Sequence, residues 1–144
     1  MDIITRDLHA ADLPAVAALS AELTGQTTAH AELLKRFQLI ERWPGQAVFV
    51  AECCGAVVGF AHVQLRVALH AHSDAELTAL VVSETSRRAG CGSALVATAE
   101  RWARAQGACQ LSLRSRADRT NAHAFYASIG YAISSTSYKL TKQL

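Results

Sequence analysis

Proline is almost absent from this chain, with two in 144 residues. Charged residues are sparse as well, at 18% against 51% hydrophobic, and no long polar tract occurs. That combination excludes a disordered chain, because enough apolar surface is present to offset the entropy of folding. The four cysteines form no Cys-x-x-Cys ladder: Cys53 and Cys54 are adjacent, and Cys91 and Cys109 lie in unrelated contexts. The spacing therefore gives no disulfide framework, and a reducing compartment fits it. His70-Ala71-His72 has no third ligand at a recognisable spacing, so no metal is expected. No apolar run approaches the ~20 residues a bilayer span needs, and no leader-like stretch opens the sequence. The expectation is a cytoplasmic protein with no membrane partner. A net charge of +2 is too small and too scattered to favour nucleic acid.

What is present reads as one domain over residues 1–144. Ile3 and Ile4 open a short strand. Asp12 then precedes a helix with Leu13, Val16, Ala17, Ser20 and Leu23 at helical spacing, closed by Gly25. A second helix carries Leu33, Leu34, Phe37 and Ile40 and stops at Trp43-Pro44-Gly45. Ala47 to Glu52 and Val57 to Val67 read as antiparallel strands joined by a tight turn at Cys53-Cys54-Gly55. A strand from Ala75 to Val82 follows. Strict alternation puts Glu76 on the face of Leu80 and Val82, opposite Leu77, Ala79 and Val81. Ser93 to Gln106 has a clear apolar stripe of Leu95, Val96, Ala99, Trp102 and Ala103. A strand from Cys109, a short helix from Asn121 to Ser128 and a last strand from Tyr131 to Leu140 complete the order. The pattern predicts an α/β fold with a mixed sheet and helices on both faces, in which the Ala75 to Ser115 crossover is right-handed and joins parallel strands.

One segment points to chemistry. A buried strand ends at Val82, Arg87, Gly90 and Gly92 follow, and a helix begins near Ser93. Backbone N–H groups at such a helix start, with the positive end of its dipole, suit an anion, and glycines let a ligand approach the backbone. Arg87 and Arg88 add cations for phosphate oxygens. Neither Gly-x-Gly-x-x-Gly nor Gly-Lys-Ser/Thr is present, so the spacing does not match the dinucleotide or triphosphate loops.

Arg87-x-x-Gly90-x-Gly92 between strand and helix resembles the central motif of the Gcn5-related N-acetyltransferases, the GNAT superfamily. Leu80-Val81-Val82 is similar to that family's Leu-x-Val strand end. Asn121-Ala-His-Ala-Phe-Tyr-Ala-Ser-Ile-Gly-Tyr131 is similar to its Asn-x-x-Ala-x-x-Phe-Tyr-x-x-x-Gly-Phe/Tyr segment. Glu84 stands where the family often has Pro, and Arg88-Ala89 where it often has Gly-Lys. The resemblance implies a mostly antiparallel sheet with a central V-shaped splay between parallel strands. It implies acetyl-CoA as co-substrate and a small amine as acceptor, and a homodimer is compatible with it. By position, Leu80, Val81 and Val82 would face the pantetheine arm, with Leu80 and Val82 offering backbone groups, and Arg87, Arg88, Ala89, Gly90, Cys91, Gly92 and Ser93 would hold the pyrophosphate. Asn121 would face the cofactor arm, and Tyr126 would protonate the departing thiolate.

Direct attack also requires that an ammonium lose a proton and that the tetrahedral intermediate find N–H donors. Glu76 is the candidate base, with a salt bridge to Arg114 as its structural alternative. Transfer to peptides or protein amines, and acyl-CoA binding without turnover, remain the alternative functions.

Overall fold

The computed structural model describes residues 2–87 and 89–144 and falls into two compact units, Met1–Arg114 and Ser115–Leu144. In the first unit β1 (Ile3–Asp7) leads into α1 (Leu13–Thr24) and α2 (His30–Arg42). Then come β2 (Gln46–Cys53), β3 (Ala56–Arg66), β4 (Asp74–Val82), α3 (Cys91–Ala105) and β5 (Leu111–Leu113). The five strands lie in the order β1-β2-β3-β4-β5, antiparallel throughout except for the parallel pair β4-β5. The mixed sheet and its parallel crossover are as the sequence predicts. The β2–β3 hairpin closes through a two-residue turn in which Cys54 and Gly55 both have positive φ, 56° and 78°, the twist-matched geometry of a tight hairpin.

Helices cover both faces of the sheet. On one side Val16 and Leu19 of α1 pack with Val50, Phe60 and Val81, and Leu33 of α2 joins them. On the other, α3 lays its predicted apolar stripe down, with Leu95, Val96, Ala99 and Ala103 buried. Burying a Leu or Val side chain contributes roughly 1.5–3 kcal/mol, so this stripe anchors the helix. The approach is close at Gly59, where a Cβ would lie 2.9 Å from the carbonyl oxygen of Val81 and 3.2 Å from Cδ1 of Leu95. Only glycine lets the sheet and helix meet there.

The start of α1 is held by an ion pair. Asp12, only 8% exposed, accepts from Nη1 and Nη2 of Arg6 at 2.8 Å each and from the backbone N–H of His9 at 2.8 Å. Arg6 also reaches Glu52 at 3.2 Å, which ties β1 and β2 to the helix entry.

The second unit contains α4 (Thr120–Ser128). Tyr126 packs edge-to-face against Phe125 at 5.1 Å and Tyr131 at 6.1 Å between ring centroids. The strand expected from Tyr131 to Leu140 is not formed: 131–144 carries no regular secondary structure, and Ile133, Tyr138 and Leu140 are exposed. A period-two pattern needs a neighbouring strand to become a ladder, and among the described residues no sixth strand joins the sheet. The strand expected from Cys109 is likewise shorter, beginning at Leu111.

Candidate active site

At one end of the first unit's sheet β4 parts from β5. The two pair only at Ala75↔Leu111, Glu76↔Ser112 and Leu77↔Leu113, while β4 runs on to Val82. From Thr78 onward its β5-side edge has no strand partner among the described residues, so backbone donors and acceptors there are open to a ligand. This is the V-shaped splay.

At the mouth of the splay β4 carries an irregularity the sequence did not announce. Val63 pairs with Leu77 and His62 with Ala79, which leaves Thr78 as an extra residue. Such a bulge inverts the alternation of the strand. Gly59 meets Leu95 of α3, and Phe60 belongs to the α1 core. Their β4 partners therefore divide: Leu80 and Val82 face α3, whereas Glu76, Ala79 and Val81 face α1 and α2. Glu76 is not on the face of Leu80 and Val82, as strict alternation has it.

The Glu76 side chain is 18% exposed and engaged by two guanidiniums, Arg66 at 3.2 Å and Arg114 at 3.8 Å. The pairing with Arg114 left open by the sequence is present. On the same face His62 lies 2.6 Å from Oε1 of Gln46. A carbonyl oxygen only accepts, so the His62 Nε2 carries the proton, and burial pushes the imidazole below its usual 6.5, toward the neutral form.

Beyond Val82 the chain makes a short 3-10 turn at Glu84–Ser86 and enters α3. Gly90, with φ of 89°, is the residue before the helix, and no side chain caps it. The helix thus begins at Cys91 rather than at Ser93, and Gly92 and Ser93 lie in its first turn. Their N–H groups, with that of Cys91, precede the first intrahelical bond, from the N–H of Ala94 to the carbonyl of Gly90 at 3.0 Å. Ala89, Gly90 and Ser93 are exposed. Arg87 is exposed beside Glu84 at 4.0 Å, and Arg88 lies outside the described residues. Cys91 is fully buried and burial pushes its thiol up, which suits a small filler under the loop and not a reactive thiolate.

Within the second unit Asn121 is exposed and is the second residue of α4, which Arg119 precedes. Tyr126 is half-buried. Burial pushes its phenol up, partly opposed by the charge of Arg119, so it stays protonated at neutral pH.

The histidines at 70 and 72 line a shallow cleft of about 360 Å³ with Arg66, Asp74, Cys109 and Gln110. Among the described residues no trio of His, Cys, Asp or Glu is placed to hold a metal. No described helix is long and apolar enough to cross a membrane.

The profile of the acetyltransferase (GNAT) family matches residues 15–131. The chain belongs to this family. Its fold agrees with several solved structures at low sequence identity. A transcriptional regulator from Bacillus halodurans C-125 superposes with a TM-score of 0.87 at 19% identity, over 98% of this chain and all of that one. The aminoglycoside 6'-N-acetyltransferase AAC(6')-IG of Acinetobacter haemolyticus gives 0.82 at 18%, covering 100% and 99%. AAC(6')-Iy, solved in complex with the bisubstrate analog CoA-S-monomethyl-acetylneamine, gives 0.86 at 18% with full coverage of both chains. No curated protein matches the sequence.

Proposed function

We propose that this GNAT chain transfers an acetyl group from acetyl-CoA to a primary amine of a small molecule by direct attack, without a metal or an acyl-enzyme. The observation that carries the reading is the run from the open edge of β4, past Val82, into the uncapped start of α3 at Gly90. It offers a line of backbone groups for a pantetheine arm and ends in N–H donors and a helix dipole suited to a pyrophosphate. Leu80, Val81 and Val82 are assigned to the arm, and Arg87 to Ser93 to the pyrophosphate. Asn121 is assigned to the arm as well, and Tyr126 to protonation of the thiolate. Structural likeness to aminoglycoside acetyltransferases supports a small amine as acceptor.

In the reaction the acceptor ammonium gives up a proton, its nitrogen bonds to the acetyl carbon, and the C–S bond breaks with the electron pair leaving on sulfur. A protonated Tyr126 delivers the proton that converts thiolate to thiol. The proton acceptor is assigned to the α1/α2 face of β4, where Glu76 stands. Because two guanidiniums, Arg66 and Arg114, already face the single carboxylate of Glu76, selection for a cationic acceptor must come from shape and hydrogen bonding rather than from a bare carboxylate.

The test is thiol release from acetyl-CoA across amino sugars, polyamines, amino acids and peptides. Turnover on at least one small amine is expected, and Tyr126→Phe lowers kcat about 100-fold while acetyl-CoA affinity holds, the usual scale for removing a positioned acid. Turnover on peptides alone replaces the small-molecule acceptor, and binding without turnover on any amine makes the chain an acyl-CoA sensor.

A further inference from the structure

The face of the sheet under α1 and α2 changes character along its length. Val50, Phe60 and Val81 form an apolar patch there. Alternation along β2 and β3 continues the same face with Gln46 and Val48 on one strand and His62 and Gln64 on the other. The change from apolar to polar falls on the rung that joins Val48, His62 and Ala79. That rung is also the first beyond the last pairing of β4 with β5, Leu77↔Leu113, and it lies directly after the extra residue Thr78. An imidazole thus stands on the sheet face beside the place where the edge of β4 opens.

Glu76 and His62 are both proton acceptors on this face, and they are held differently. The Glu76 carboxylate is engaged by Arg66 at 3.2 Å and Arg114 at 3.8 Å, both at Oε2. His62 donates from Nε2 to Oε1 of Gln46 at 2.6 Å, which fixes its tautomer and leaves the lone pair on Nδ1. No described group bonds Nδ1. Ser115 Oγ is the one described side-chain oxygen or nitrogen that is both buried and without a partner, so Nδ1 of His62 is open to solvent and to a ligand. Burial alone pushes the imidazole below its usual 6.5: neither the cluster of Glu76, Arg66 and Arg114 nor any titratable side chain of α1 or α2 adds to the shift. The ring is therefore neutral, and able to accept a proton, at pH 7.

We propose that His62 is the base of the acetyl transfer, its Nδ1 taking a proton from the acceptor ammonium while Gln46 holds the ring and Glu76 stays in its ion pairs. This rests on the acetyltransferase reading of the chain. One ammonium proton passes to Nδ1, and the freed nitrogen pair bonds to the acetyl carbon. The C–S pair leaves on sulfur. A second proton is lost from nitrogen as the amide forms, matching the one that sulfur gains, and the imidazolium returns its own proton to water.

The experiment is the pH dependence of kcat/KM with acetyl-CoA and whichever of neamine, spermidine and lysine turns over fastest. Wild type is expected to lose activity as pH falls through a value below 6.5, where the ring charges. His62→Ala lowers kcat about 100-fold, the scale of a general base, loses that acid limb, keeps its acetyl-CoA affinity and regains part of its rate with added imidazole. Gln46→Glu keeps the base but sets a carboxylate against its N–H, so the limb moves up by about one pH unit. Because a variant can fail to fold, nitrogen-15 spectra of the wild-type histidines from about pH 5 to 9 serve as the second measurement, and they need no acceptor. They are expected to show His62 neutral at pH 7 with its proton on Nε2. A ring that is charged at pH 7, or protonated on Nδ1, overturns the inference. So does an acid limb that survives in His62→Ala and vanishes in Glu76→Gln, which gives the role to Glu76 and leaves acetyl transfer standing. Wild type without turnover on any amine removes both.

Discussion

Among the described residues Asp12 is the one charged residue that is buried, and its surroundings account for that. Two bonds from the Arg6 guanidinium and one from the His9 N–H replace its hydration, and the arginine holds its carboxyl below the usual 3.8. A carboxyl whose folded value is depressed contributes stability that is fully present above 3.8 and is lost as pH falls below it. Asp12→Asn keeps the shape and one acceptor but removes the charge that Arg6 requires, so a loss of about 1–3 kcal/mol is expected. Urea unfolding at pH 7 and pH 3 checks it. The gap between wild type and variant is expected at pH 7 and narrows at pH 3; a gap of equal size at both means that the pair stabilises the fold by packing, not by charge.

At the scale of elements, the junction of β4 and α3 carries the cofactor assignment, and its charge can be tested apart from its shape. Gly90 has φ of 89°, a region that Asn and Asp tolerate better than other side chains. Gly90→Asn and Gly90→Asp therefore cost similar strain and differ by one negative charge at the helix start. Acetyl-CoA affinity by calorimetry is expected to fall about tenfold further in the Asp variant, the scale of a like charge some 4 Å from a partly exposed phosphate. Equal affinities would move the pyrophosphate elsewhere. The junction was legible because two local signals coincide there, a strand ending in Leu80-Val81-Val82 and a helix stripe beginning after two glycines. The helices were legible through their 3.6-residue period, and α3 above all. The bulge at Thr78 was not, since the residues around it still alternate plausibly in sequence, and only pairing with β3 reveals that Glu76 faces away from Leu80. The segment from Tyr131 to Leu140 shows the converse. Its local pattern is that of a strand, but a strand exists only with a neighbour, and propensity carries no information about where that neighbour is.

Across the whole molecule, ligand binding and folding are linked. A chain of this size has a stability of order 5–15 kcal/mol, and a ligand that binds only the folded form adds RT ln(1 + [L]/Kd), about 2.7 kcal/mol at a hundredfold excess over Kd. For a chain near 150 residues that corresponds to a rise in Tm of roughly 5–10 °C. Coenzyme A and acetyl-CoA are both expected to produce it, because the proposed contacts involve the pantetheine and pyrophosphate that the two share. Pantetheine alone, which lacks the anion, should produce much less, and the difference reports on the helix start at Gly90. The scan is to be run at fixed protein concentration, since a dimer makes Tm depend on concentration in its own right. If pantetheine matched coenzyme A, the open edge of β4 would account for binding by itself. If neither shifted Tm at millimolar concentration, the folded chain would not bind the co-substrate, and the acetyltransferase reading would fall with it.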